Sequence, residues 1–120
     1  MDASGSIGVT NFNLMKSFVS HLVGRMDVDS GSTRVGLVTF SSFVGSSFNL
    51  SDHNTVTSMQ RAISRLTYSP SGTNTAAALA YIRTTMLTLA AGDRGEVPNV
   101  GVVITDGHSD NSNATKVRKM

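Results

Sequence analysis

The chain has 120 residues, 39% of them hydrophobic and 15% charged, with a formal net charge of +2 and no cysteine. That length supports one core-forming domain. The composition excludes a disordered polyelectrolyte, and the lack of cysteine excludes disulfide frameworks, thiol catalysis and thiolate metal sites. The ten Lys and Arg residues are scattered rather than interleaved with aromatics, which argues against nucleic acid as a partner. No apolar run approaches the roughly 18 residues of a membrane helix, so the segment is not expected to insert in a membrane. The first ten residues lack the basic start and apolar block of a signal peptide.

In chain order, the sequence opens on MDASGSIG, which clusters Asp2, Ser4 and Ser6 between small residues. Residues 12–26 place Phe12, Met15, Val19, Leu22 and Met26 at spacings of three and four, with Leu14, Phe18 and Val23 widening the stripe. This predicts an amphipathic helix with a broad buried face, capped by Thr10 or Asn11. DVDSGS (27–32) has turn composition. Its Asp27 and Asp29 echo part of a calcium loop but lack the remaining ligands of that motif. The near-continuous apolar run from Val35 to Phe40 predicts a strand buried on both faces, and FVGSSFNL (43–50) a weaker, serine-diluted edge strand.

The helical period returns from Asn54 with Val56, Met59, Ile63 and Leu66. Pro70 and Gly72 interrupt it. An alanine-rich third helix is then predicted, with Leu79, Ile82, Met86 and Leu89 on one face. VGVVIT (100–105) reads as a second buried strand ending at Asp106, and the tail ATKVRKM as the start of a further helix. Buried strands separated by helices predict an α/β fold: a doubly wound, mostly parallel sheet flanked by helices. No repeat or linker divides residues 1–120, which read as one domain. A loop-to-helix step such as DASGSIG normally follows a strand. The expectation is therefore a partial domain lacking its first and last strands.

Ligands of open parallel sheets bind outside the carboxyl ends of the strands. Three oxygen-rich segments fall at such positions: Asp2–Ser6, the loop SPSGTNT before the alanine-rich helix, and Asp106. Carboxylates and hydroxyls are hard donors that suit Mg²⁺, Mn²⁺ or Ca²⁺. Two carboxylates roughly neutralise a divalent ion, which remains able to attract one more anionic oxygen from outside.

DASGSIG, the Thr73 of SGTNTAAAL and the Asp106 of VVITDG together resemble the von Willebrand factor type A domain and its metal-ion-dependent adhesion site. The resemblance runs from Asp2 past Asp106 and includes TRVGLVTFSS. It implies a Rossmann-like fold of extracellular matrix or collagen-associated type. It also implies a metal held by Asp2, Ser4, Ser6, Thr73 and Asp106, with the last position of an octahedral Mg²⁺ (or Mn²⁺ or Ca²⁺) left for a partner's carboxylate. The implied function is adhesion, without catalysis, to an extracellular protein that supplies a Glu or Asp, such as collagen or another matrix protein. The implied location is extracellular, secreted or in the ectodomain of a membrane protein.

Blander readings stand beside these. Taken alone, Asp2, Ser4 and Ser6 read as a capping or terminal loop, Thr73 as a helix cap and Asp106 as a turn residue. The six methionines read as core filling. His21 and His53 read as surface and loop residues, and His108 as a solvated loop residue near Asp106. A structural repeat with a little-used metal site is the alternative function. A metal-dependent phosphohydrolase fits less well, because Ser4 stands where a second carboxylate is wanted. No G-x-S-x-G elbow or phosphate loop is present. Asn49-Leu50-Ser51 and Asn113-Ala114-Thr115 are N-glycosylation sequons.

Overall fold

In the computed structural model, which describes residues 1–106, the three-and-four spacing near the start of the chain becomes helix α1 (Val9–Gly24). Its buried face carries Phe12, Val19 and Val23 and packs on the second helix, α2 (Val56–Ser64), through Met59 and Ile63. Phe12, Val23, Met59 and Ile63 are each at most 1% exposed. Burial of side chains of this kind stabilises the fold by about 1.5–3 kcal/mol apiece.

The predicted breadth of the α1 stripe is corrected. Leu14 and Phe18 are 62% and 58% exposed. At about 100° per residue, they lie roughly 200° and 240° around the helix from Phe12, on the side away from the core. The cap is corrected as well. Gly8 occupies the N-cap with φ 80° and no side-chain cap bond, a left-handed value that glycine adopts without strain. Asn11 instead turns its amide to the Ile7 carbonyl, at 3.0 Å.

Strand β1 (Leu37–Phe40) is buried throughout, as its continuous apolar run requires. Strand β2 (Val44–Phe48) pairs antiparallel with it, Leu37 opposite Phe48 and Val38 opposite Ser47, with an irregularity between Val38 and Phe40. On the other side of β1 lies the start of the chain. Phe40 N–H donates to the Met1 carbonyl (3.1 Å) and Ala3 N–H to the Phe40 carbonyl (2.7 Å), and Asp2 forms a parallel bridge with Phe40. Among the described residues the only extended ladder is antiparallel, and the parallel component is this bridge.

The third helix is shorter than its apolar period suggests. Helix α3 (Thr75–Tyr81) gives way to a wider π-type turn over Ile82–Met86 and a short 3₁₀ turn over Leu89–Ala91. Thr84 donates its hydroxyl to the Ala80 carbonyl at 2.8 Å, a back-bond that loosens helices. Thr88 caps the next turn through Ala91 N–H. Leu89, expected on the buried face, is 79% exposed as a result.

The predicted strand at 100–105 is not formed. Val100 and Val102 are 87% and 64% exposed, and one ladder-type bond, from Asp2 N–H to the Ile104 carbonyl (2.8 Å), ties the segment to the sheet. Ile104 packs against the core, whereas Val100 and Val102 have no covering layer among the described residues. No helix among those residues is long and apolar enough to cross a membrane. The expected tail helix, His108 and Asn113 lie outside the described residues.

Candidate metal centre

Three loops meet where the chain leaves the C-terminal end of β1. The first, residues 2–6, is shaped by its own aspartate: Ser4 N–H donates to Asp2 Oδ1 at 2.8 Å, the local turn that short Asx side chains favour. Asp2 and Ser4 are fully buried, with 0% exposure each.

Ser6 donates its hydroxyl to Asp106 Oδ2. Ser4 Oγ and Ser6 Oγ are 3.3 Å apart. Because the single Ser6 proton is directed to Asp106, Ser4 is the donor in that pair. Thr105 Oγ1 donates to Asp2 Oδ2 at 2.8 Å. Both carboxylates and both serines are thereby drawn into one cluster.

The Thr73 loop is docked beside them by backbone bonds. Gly5 N–H donates to the Ser71 carbonyl at 2.9 Å, and Asn74 N–H to the Ser41 carbonyl at 2.7 Å. Ser42, just past β1, receives Gly72 N–H on its hydroxyl (2.8 Å) and gives its own N–H to Ser71 Oγ (3.0 Å). Thr73 itself is buried. It does not cap α3, because Asn74 takes that position and accepts from Ala77 N–H at 3.1 Å.

Four further residues contribute to the cluster and its frame. Thr105 adjoins a predicted ligand, so its hydroxyl was findable from VVITDG. Ser42 ends TRVGLVTFSS and Ser71 lies in SPSGTNT, but neither carries a ligand signal of its own. Tyr68 is the least expected. Its hydroxyl donates to the Ser4 carbonyl (3.0 Å), lies 3.4 Å from the Gly5 carbonyl and accepts from Gly8 N–H (3.1 Å), which pins both ends of the first loop. Its ring stacks at a tilt on Phe12, centroids 5.2 Å apart, so the loop is tied directly to the core.

Of the histidines, His21 is exposed and contacts the Ser17 carbonyl. His53 has acquired partners, Ser58 Oγ at 2.7 Å and the Phe48 ring edge-on at 5.0 Å. Asp29 caps α2 by accepting from Val56 N–H, which settles DVDSGS as a structural turn. Among the described residues no group of three or more His, Asp or Glu converges.

The terminal amine of Met1 is buried beside Asp2 and donates to the Val38 carbonyl at 2.9 Å. Burial lowers its pKa from 8.0 to about 6, against a smaller raising effect of the Asp2 charge.

The donor chemistry fits a hard divalent cation. Two carboxylates and three hydroxyls belong to loops that adjoin one another, two of the five residues are fully desolvated, and no soft ligand is among them.

The sequence matches the family described as von Willebrand factor type A domain over residues 1–120. It is 38% identical over 109 residues to human matrilin-1, covering 91% of this chain and 22% of that protein. It is also 38% identical over 111 residues to mouse collagen alpha-4(VI) chain, covering 91% of this chain and 5% of the collagen chain. Among solved structures it resembles proximal thread matrix protein 1 from the mussel byssus, with a zinc-occupied MIDAS motif. The TM-score is 0.72 at 25% identity, covering 80% of this chain and 26% of that one. The chain therefore spans about a fifth or less of the curated relatives it matches, and the similarity carries a Rossmann-like α/β fold.

Proposed function

The chain belongs to the von Willebrand factor type A domain family, and from that premise we propose that it is a divalent-metal-dependent adhesion module, one unit of a longer extracellular protein. The observation that carries the reading is the hydroxyl–carboxylate cluster. Ser6 bonds Asp106 across the sheet end, Thr105 bonds Asp2, and the Thr73 loop is fastened to Gly5.

Asp2, Ser4, Ser6, Thr73 and Asp106 would hold the ion, Mg²⁺ or alternatively Mn²⁺ or Ca²⁺. Bound there, such an ion would be roughly neutralised by the two carboxylates, and because the hydroxyls add no negative charge it would still attract an outside carboxylate. The chain's own residues supply the frame. Asp2 is fixed by Ser4 N–H and Thr105, and the first loop by Tyr68. The partner is a matrix protein, collagen among the possibilities, that presents a Glu or Asp. The names of the relatives, a matrilin and a collagen VI chain, support that class. The relatives are matrix proteins, and Ser4 stands where phosphohydrolase chemistry wants a second carboxylate, so the module is read as a binder rather than an enzyme.

A second reading is a structural repeat whose site is little used. It is favoured by one fact: Ser6–Asp106 and Thr105–Asp2 satisfy these oxygens among themselves. Titration of the protein with Mn²⁺, followed by water-proton relaxation, separates the two. The adhesion reading expects saturable binding that is lost in Asp106→Ala and on adding EDTA. Absence of saturable binding in the unsubstituted protein sinks it and leaves the structural repeat.

A further inference from the structure

We infer that Asn49 carries an N-linked glycan and that the sugar shields the free edge of β2. The inference rests on the extracellular reading above. Among the described residues, Asn49 is the only asparagine followed two positions later by Ser or Thr without an intervening proline. It directly follows β2, in a turn where Asp52 N–H donates to the Asn49 carbonyl (3.1 Å) and Asn49 N–H to Asp52 Oδ2 (2.8 Å). The backbone is thus fixed, while the half-buried side-chain amide enters no hydrogen bond among the described residues. Ser51 and Asp52 beside it are exposed. A glycan on this amide displaces no hydrogen bond found among the described residues.

The location gives the sugar a task. Among the described residues β2 pairs with β1 alone, and a free strand edge invites pairing with other chains. Natural edges are blunted by charges, prolines or bulges. Strand β2, VGSSF, has no charge and no proline. The register irregularity lies toward the hairpin tip, whereas the Phe48 end pairs regularly with Leu37. Asn49 adjoins that unprotected end. It also lies at the opposite end of β2 from the Ser41–Ser42 loop that borders the metal cluster, so a glycan there leaves the adhesion face open.

In the modification, Asn49 Nδ2 bonds to the anomeric carbon of a lipid-pyrophosphate-linked oligosaccharide. The bond from that carbon to the pyrophosphate oxygen breaks, the lipid pyrophosphate leaves with the electron pair, and the amide releases one proton.

The test uses the full-length protein expressed in animal cells. Material from the medium is treated with peptide-N-glycosidase in heavy-oxygen water and mapped by mass spectrometry. The Asn49 peptide is expected as oxygen-labelled aspartate. Secreted protein with unmodified Asn49 overturns the glycan while leaving the extracellular reading intact. Protein confined to the cytosol overturns both. For the edge, sedimentation compares the glycoprotein with Asn49→Gln, and with native protein trimmed enzymatically to its first sugar. Self-association is expected to rise at least tenfold on removing the sugar and to fall back in Asn49→Gln/Ser47→Lys. Unchanged self-association in both the variant and the trimmed protein overturns the shielding role.

Discussion

Replacing Tyr68 by Phe removes one oxygen and leaves the ring against Phe12, so no cavity opens. Two well-formed bonds are lost, one donated to the Ser4 carbonyl and one accepted from Gly8 N–H. At about 0.5–1.5 kcal/mol net for each, the loss is about 1–3 kcal/mol. With a urea slope near 2 kcal/mol/M, a 2 kcal/mol loss lowers the unfolding midpoint by roughly 1 M. Because these bonds pin both ends of the Ser4–Ser6 loop, Mn²⁺ affinity is expected to fall alongside stability. Urea unfolding followed by circular dichroism measures the first quantity, and Mn²⁺ relaxation titration the second. A midpoint within about 0.2 M of the parent's refutes the hydrogen-bond accounting. A shifted midpoint with unchanged Mn²⁺ affinity refutes the claim that Tyr68 positions the metal loop.

Thr105→Val keeps the shape of the side chain and deletes the donor to buried Asp2 Oδ2. A loss of about 1–3 kcal/mol in urea unfolding is expected, and parent-like stability would show that Thr105 does not hold Asp2. In a polypeptide beginning at Met1, the buried amine has its pKa lowered from 8.0 to about 6. The unfolded chain therefore binds the proton first as pH falls. The stability held above pH 8 drains away through about pH 6, by at most about 3 kcal/mol. Adding residues before Met1 removes that amine and should flatten the pH profile over the same window. An unchanged profile would place its origin elsewhere.

Local periodicity carried the sequence reading where one face of an element decides its fate. Phe12, Val19 and Val23, Met59 and Ile63, and the run to Phe40 all occupy buried elements as expected. It misled where local bonding competed. Threonines 84 and 88 break up the third helix, although Leu89 keeps the apolar spacing. It misled again where burial depends on neighbours: Val100 and Val102 have strand-like chemistry but no cover among the described residues. Of the site, Asp2, Ser4, Ser6 and Asp106 were recognisable as oxygen donors in loops, and the structure links them by hydrogen bonds. Thr73 is in the neighbouring docked loop. Tyr68 was illegible, because a tyrosine near Pro70 carries no signal for a bond 64 positions away.

The Ser6–Asp106 and Asp2–Thr105 bonds join residues 100 and 103 positions apart. Closing loops of that size is slow and comes after local helices have formed. The two ends of the cluster therefore meet only when the chain between them has collapsed onto β1. A nascent or partly opened chain presents scattered hydroxyls with no capacity to grip an ion. If the cluster holds a cation as proposed, capture requires this closure, and by mass action it favours the closed state in turn.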